Sequence, residues 1–268
     1  MSEPEFIVTK EYRRFAEFCD ACRRERYIGL CYGPPGVGKT LSARHDARWE
    51  ALAPILERRS FWHDFPTRPD LADCRTLLFT PSVTATPRRV EDELKNLRHR
   101  MTTIIEEATY PDDPPAEIHS DDRWIELVIV DEADRLNFPA LEQLRDVYDR
   151  GEFGMILIGM PGIEKRLARY AQFYSRVGFV HQFRPLSIQE MRFILTHKWQ
   201  EMGLTLAPDD FTDTEALAAM IRITGGNFRL VQRLCSQIAR ILEINALRTV
   251  TAEVVEAARE NLVIGPLT

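Results

Sequence analysis

A chain of 268 residues has room for one large domain, or a large one with a small companion, and can bury a sizeable core. With 44% hydrophobic and 28% charged residues it has the composition of an ordinary soluble protein, and no run of about 18 apolar residues suggests a membrane span. The formal charge of −6 argues against a protein that coats nucleic acid over its entire surface, though not against one with a local basic stripe.

The start, Met-Ser-Glu-Pro-Glu, lacks the basic-then-apolar order of a secretory signal, so a cytoplasmic protein without membrane partners is expected. A first helix is predicted over 10–25, with Phe15, Phe18 and Cys22 on one face. Five cysteines at irregular spacing argue against a disulfide framework, and the lone Cys19-x-x-Cys22 reads as buried thiols rather than a metal or redox site. Apolar, β-rich runs follow at 27–32, 76–80, 125–130, 154–159 and 177–183, separated mostly by segments with helical periodicity. That alternation predicts α/β architecture with a mainly parallel sheet.

Two long connections interrupt the pattern, 54–75 with Pro54, Pro66 and Pro69, and 109–121 with Pro111, Pro114 and Pro115. Residues 106–122 hold seven acids and no Lys or Arg, whereas 222–248 hold five arginines and one acid. One further helix is expected at about 161–175. After Pro185 no strand run appears, and helices are predicted at about 187–202, 211–223, 227–244 and 251–263, each opened by Asp, Thr or Asn or punctuated by Gly203, Gly225 or Gly226. The expected division is an α/β nucleotide-binding domain over 1–185 and a helical domain over 186–268.

Gly33-Pro34-Pro35-Gly36-Val37-Gly38-Lys39-Thr40 follows an apolar strand and opens a helical segment, the setting a phosphate-binding loop requires. Glycines let backbone N–H groups curl around phosphates, and the helix start adds partial positive charge. Lys39 is expected to reach the β and γ phosphates of ATP, and the Thr40 hydroxyl to ligate Mg²⁺, with Leu41 completing the loop. About 90 residues on, the apolar strand at 125–130 ends in Asp131-Glu132. At the tip of a buried parallel strand, Asp131 would hold Mg²⁺ and Glu132 would polarise the attacking water as general base.

The loop, the stretch Ile-Val-Asp-Glu-Ala-Asp-Arg-Leu and the helical C-terminal part together resemble the AAA+ ATPases. More narrowly, Leu157-Ile-Gly-Met-Pro-Gly-Ile-Glu-Lys-Arg-Leu-Ala-Arg-Tyr170, with Ile7, Val8, Thr9, Tyr12 and Phe15 upstream, is similar to the TniB/TnsC group of DNA-transposition regulators, relatives of MuB and IstB. The likeness spans about residues 6 to 263. It implies a P-loop AAA+ sheet flanked by helices with a small helical lid, and an arginine supplied in trans by a neighbouring subunit. Arg176, before the last strand, is the first candidate for that finger, with Arg169 and Arg166 behind it. Gly226-Asn227-Phe228-Arg229 matches the family's Gly-x-x-Arg setting, making Arg229 the expected sensor of the γ phosphate. Where the family often carries a polar residue after the fourth strand, this chain has Met160, so either that sensor is absent or another side chain replaces it. Slow hydrolysis is expected. The resemblance also places Arg88, Arg89 and Asn137 on DNA backbone, although Glu91, Asp92 and Glu93 interleave and a merely solvated helix accounts for the pattern as well. Tyr12 and Phe6–Thr9 line the adenine pocket by the same analogy, or simply pack the first helix.

The function implied is an ATP-dependent regulator of transposition that oligomerises as a ring or filament on double-stranded DNA and recruits a transposase and a target-selection protein. The alternative is a switch ATPase of the secretion or signalling type, acting on protein partners without DNA. An unfoldase is disfavoured because 80–87 carries no aromatic pore motif, and an origin-recognition initiator because little chain follows the last predicted helix for a separate DNA-binding module.

Overall fold

The computed structural model describes residues 6–56, 68–111, 124–204 and 210–262. The elements in chain order are α1 (Lys10–Glu25), β1 (Ile28–Tyr32), α2 (Lys39–Asp46), α3 (Trp49–Leu56), β2 (Thr76–Phe79), α4 (Pro87–Thr109), β3 (Leu127–Val130), α5 (Phe138–Arg150) and β4 (Gly154–Gly159). They are followed by α6 (Ile163–Leu167), α7 (Ala171–Tyr174), β5 (Val177–Gln182), α8 (Ile188–Glu201), α9 (Phe211–Thr224), α10 (Phe228–Ile244) and α11 (Ala252–Glu260). Among the described residues no helix is long and apolar enough to cross a membrane.

The five apolar runs form one sheet in the order β2-β3-β4-β1-β5, and every pairing is parallel. β2, β3 and β4 are buried along their whole length, which is why they read as continuous hydrophobic segments. β5 lies at the edge and alternates between half-buried and exposed positions.

The chain falls into two compact units. The sheet unit comprises Tyr12–Gly33 and Lys39–Gln182. Its core is built from the strands together with α3, α4 and α5, through Leu52, Val90, Leu94, Met101, Leu141 and Leu144. All five cysteines are free and buried. Burial pushes the Cys22 thiol up to about 12 and that of Cys19 well above its usual value, so both are protonated, inert core residues.

The helical unit comprises the described residues of Met1–Glu11, Pro34–Gly38 and Phe183–Thr268. α8 to α11 close around Met191, Ile194, Trp199, Met220, Val231, Leu234, Ile238 and Val255, and Ile7 packs against the same core. Each such large side chain contributes about 1.5–3 kcal/mol on full burial. Ser187 and Glu190 form a capping box at the start of α8. The second Glu190 oxygen accepts the Glu11 N–H at 3.2 Å, while the buried Glu11 carboxylate accepts the Arg184 N–H at 3.1 Å.

Two expectations need correction. The single helix at 161–175 is instead two short ones, α6 and α7, interrupted where Tyr170 takes a non-helical backbone, φ −114° and ψ 87°, its ring stacked on Phe138 with centroids 4.1 Å apart, while the Arg166 guanidinium meets the main-chain carbonyls of Asp134 and Leu136. The connection from 54 is also shorter, since Pro54 lies inside α3 and Pro69 opens a 3-10 turn over 69–71. Pro66, Pro114, Pro115 and most of the acidic stretch 106–122 lie outside the described residues.

Candidate functional site

Parallel strands deliver their C-terminal ends to one side of the sheet, where open α/β sheets take their ligands. From the end of β1 the chain passes Gly33, and Lys39 begins α2. Lys39 Nζ folds back to donate to the Gly33 carbonyl at 2.6 Å. The Thr40 hydroxyl, at an exposed position, donates to the Asp131 carboxylate, which is only 4% exposed. Burial pushes the Asp131 carboxyl above its ordinary value, opposed by the Thr40 bond and the Glu132 N–H, 2.9 Å from Oδ1. A hydroxyl beside a buried carboxylate is the hard-oxygen pair that Mg²⁺ accepts, and a divalent cation would relieve the electrostatic cost of burial.

Glu132 follows in the left-handed backbone region, φ 53°, a conformation costing a non-glycine residue roughly 1–2 kcal/mol. Its carboxylate pairs with Arg135, and Arg135 Nη1 also donates to the Pro81 carbonyl in the segment after β2, at 3.1 Å. The general-base candidate is thus held by a guanidinium anchored to a neighbouring loop.

At the tip of β4 the Met160 side chain is 40% exposed, and its N–H donates to Asp134 Oδ2 at 2.7 Å. At Gly159 a Cβ would come within 2.9 Å of the same Asp134 oxygen and 2.6 Å of Ile163 Cδ1, so a larger residue would push these side-chain ends aside. The polar group at this strand end is therefore Asp134, three residues after Asp131. The sequence reading did not single it out, although the glycine ending an apolar strand was its signal.

The three candidate fingers differ in what they already hold. Arg176 is bidentate to Asp149, Nε–Oδ1 2.7 Å and Nη2–Oδ2 2.8 Å, and also donates to the Gln172 carbonyl. That hydrogen bond holds the Asp149 carboxyl below its usual range. Arg166 is committed to the carbonyls of Asp134 and Leu136. Arg169 is exposed, with no ion-pair or hydrogen-bond partner for its side chain among the described residues.

Within the helical unit, the middle of the loop meets the start of α10. Asn227 caps that helix, Oδ1 accepting the Leu230 N–H at 3.2 Å, while its Nδ2 donates to the Pro35 carbonyl at 3.0 Å. The Arg229 N–H donates to the Gly36 carbonyl at 3.0 Å, and the Arg229 side chain is exposed. Gly36 sits at φ +80°, and a Cβ on it would run into the Asn227 amide, so only glycine suits this approach. Val37 is buried, Gly38 also has positive φ, and Pro34 and Leu41 are half-buried and exposed respectively. The sequence marked Asn227 only as the opening of a helix; its second bond, to the Pro35 carbonyl, joins residues too far apart in the chain to be read there.

The remaining candidates are occupied locally. Arg88 and Arg89 open α4 but face Asp92 and Glu93 of the same helix at 3.8 and 2.7 Å. Asn137 caps α5, accepting the Ala140 N–H at 3.0 Å. The Tyr12 ring lies edge-on to His45 of α2 with centroids 5.1 Å apart, and burial, aided by the Asp46 charge, pushes its phenol up to about 12.

Comparison with known proteins gives consistent relatives. Residues 22–167 match the family model described as AAA domain. The chain is 46% identical over 269 residues to a potential ATP-binding protein of Staphylococcus aureus, covering 97% of each. It is 26% identical over 238 residues to the Mu-like prophage FluMu DNA transposition protein B of Haemophilus influenzae, covering 85% of this chain and 70% of that one. In structure it is similar to the Thermotoga maritima RuvB Holliday junction branch migration motor, with TM-score 0.59 and 17% identity, over 97% of this chain and 71% of that one. A phosphate loop after β1, an acidic tip on β3 and a family match across more than half the chain agree: the protein belongs to the AAA domain family.

Proposed function

We infer that the protein is an ATP-dependent regulator of DNA transposition, which assembles on double-stranded DNA, recruits or activates a transposase and is reset by slow hydrolysis. The observation that carries this reading is the kinship over 85% of the chain to a protein named for DNA transposition. In this reading the 33–40 loop cradles the phosphates of ATP, Lys39 leaving the Gly33 carbonyl to meet them. Thr40 and Asp131 hold Mg²⁺, which when bound neutralises charge on the phosphates. Arg229, tied to Gly36, senses the γ phosphate. Glu132 orients the attacking water once it leaves Arg135, and that retained pair, with Asp134 in place of a longer polar side chain at β4, supports slow basal turnover.

The neighbour's arginine is Arg169 in preference to Arg176, because donating Arg176 would first require breaking its bidentate pair with Asp149. One observation favours the switch acting on protein partners alone: Arg88 and Arg89 are compensated by carboxylates of their own helix. Electron microscopy with duplex DNA and a non-hydrolysable ATP analogue separates the readings. Assemblies that need both ligands support the DNA-bound regulator; assembly with nucleotide alone, unchanged by DNA, supports the protein-partner switch; a monomer under every condition refutes both.

A further inference from the structure

α10 has an unusually divided surface. Val231, Leu234, Cys235, Ile238 and Leu242 are buried in the helical unit, which fixes how the helix is turned. The opposite face carries Arg229, Gln232, Arg233, Ser236 and Arg240, all exposed or nearly so, and the first acid on the helix is Glu243 near its end. Arg229, Arg233 and Arg240 stand at i, i+4 and i+11, within an arc of about 40° at 100° per residue.

Among the described residues some arginines are compensated, whereas others, such as Arg13, Arg192 and Arg248, are not. Arg88 and Arg89 have Asp92 and Glu93, Arg145 has Glu142 and Asp149, Arg150 has Glu91 and Asp146, and Arg222 and Arg259 share Glu256. Among the described residues Arg233 and Arg240 have no carboxylate partner. In a chain with a net charge of −6, a row of uncompensated guanidiniums separated by Gln and Ser concentrates positive potential on one line. Two helical turns place Arg233 and Arg240 about 10.5 Å apart along the axis, close enough to address phosphates of one DNA strand.

We propose that this face of α10 contacts the phosphate backbone of duplex DNA through Arg233 and Arg240, with the exposed Gln232 amide as an uncharged donor beside them. The inference rests on the DNA-bound reading above and moves the contact from the start of α4 to α10. Backbone contacts of this kind are indifferent to sequence and sensitive to salt.

The test is fluorescence anisotropy of a labelled 30-base-pair duplex with a non-hydrolysable ATP analogue, over a salt series, for the wild type, R233A/R240A and R88A/R89A. Alanine suits a helix interior, so α10 is retained in the variant. Loss of two phosphate contacts is expected to reduce the salt slope by about 2 and weaken binding about thirty-fold at 0.15 M salt. Binding of a fluorescent ATP analogue should be unchanged, since Arg229 is kept. Wild-type affinity in R233A/R240A with loss in R88A/R89A would overturn the proposal and leave the DNA reading standing. Weaker duplex binding by R233A/R240A with the wild-type salt slope retained would make the stripe a subunit contact rather than a phosphate contact, also overturning it. No duplex binding by the wild type at low salt would refute the underlying DNA reading itself.

Discussion

Asn227 joins a helix cap to the phosphate loop, and the two jobs can be separated by substitution. In Asn227→Ala the Leu230 N–H loses its acceptor, costing about 1 kcal/mol for an N-cap. The Pro35 carbonyl loses its donor as well, for about another 1 kcal/mol. A loss of about 2 kcal/mol would lower the melting temperature by roughly 4–8 °C for a chain of this size. Asn227→Ser keeps a good cap but is too short to reach Pro35, so it should recover about half of that loss. Asn227→Asp also keeps the cap but turns a carboxylate oxygen toward the Pro35 carbonyl and adds negative charge beside the loop; it should melt below the Ser variant and bind ATP analogue more weakly than either. Thermal melts read with a fluorescent ATP analogue titration check the series. Equal melting temperatures and equal analogue affinities across wild type, Ala, Ser and Asp would refute the bracket.

Glu132→Gln should bind nucleotide normally and lower turnover at least a hundred-fold, measured by phosphate release; near wild-type turnover would remove Glu132 as general base. Arg135→Ala frees Glu132 from its ion pair and is expected to raise basal hydrolysis several-fold without DNA, so an unchanged or lower basal rate speaks against the pair as a brake. Arg169→Ala should cut hydrolysis in the assembled state while leaving the monomer's melting temperature within about 1 °C, as expected for an exposed residue. Arg176→Ala, which strips Asp149 of its bidentate partner, should lower the melting temperature more than it lowers turnover; the reverse ranking would restore Arg176 as the finger. For Asp131 the carboxyl is raised by burial, so protonation sets in at a higher pH than for an ordinary carboxylate. The neutral acid is easier to bury, so folding gains as pH falls through the raised value, whereas Mg²⁺-dependent analogue binding is full above it and declines below. A Mg²⁺ titration across pH checks this, and Asp131→Asn should flatten the dependence.

The sheet was legible because its inner strands are buried on both faces and so carry unbroken apolar runs, while the loop and the acidic tip lie at positions in the chain that a parallel strand end makes meaningful. What stayed hidden is non-local. Ile163, Leu167 and Phe173 have helical spacing, and nothing in that spacing shows the non-helical turn at Tyr170 or that Arg166 and Tyr170 meet Asp134, Leu136 and Phe138. Arg176 reads as a free cation near a helix end until α5 brings Asp149 to it from 27 residues away. Arg88 and Arg89 show the opposite failure: their i+4 carboxylates were visible in the sequence, but the pairing decides only once the side chains are placed.

The division of the chain has a consequence for its evolution. The helical unit draws on three stretches, including the five residues Pro34–Gly38 and a segment ending at Glu11, so the covalent chain passes between units after residues 11, 33, 38 and 182. A fragment starting at Phe183 would lack Ile7 from its core, the Glu11 carboxylate on the Arg184 N–H and the carbonyls that Asn227 and Arg229 grip. Recombination at a single crossover therefore cannot graft this helical unit intact onto another sheet.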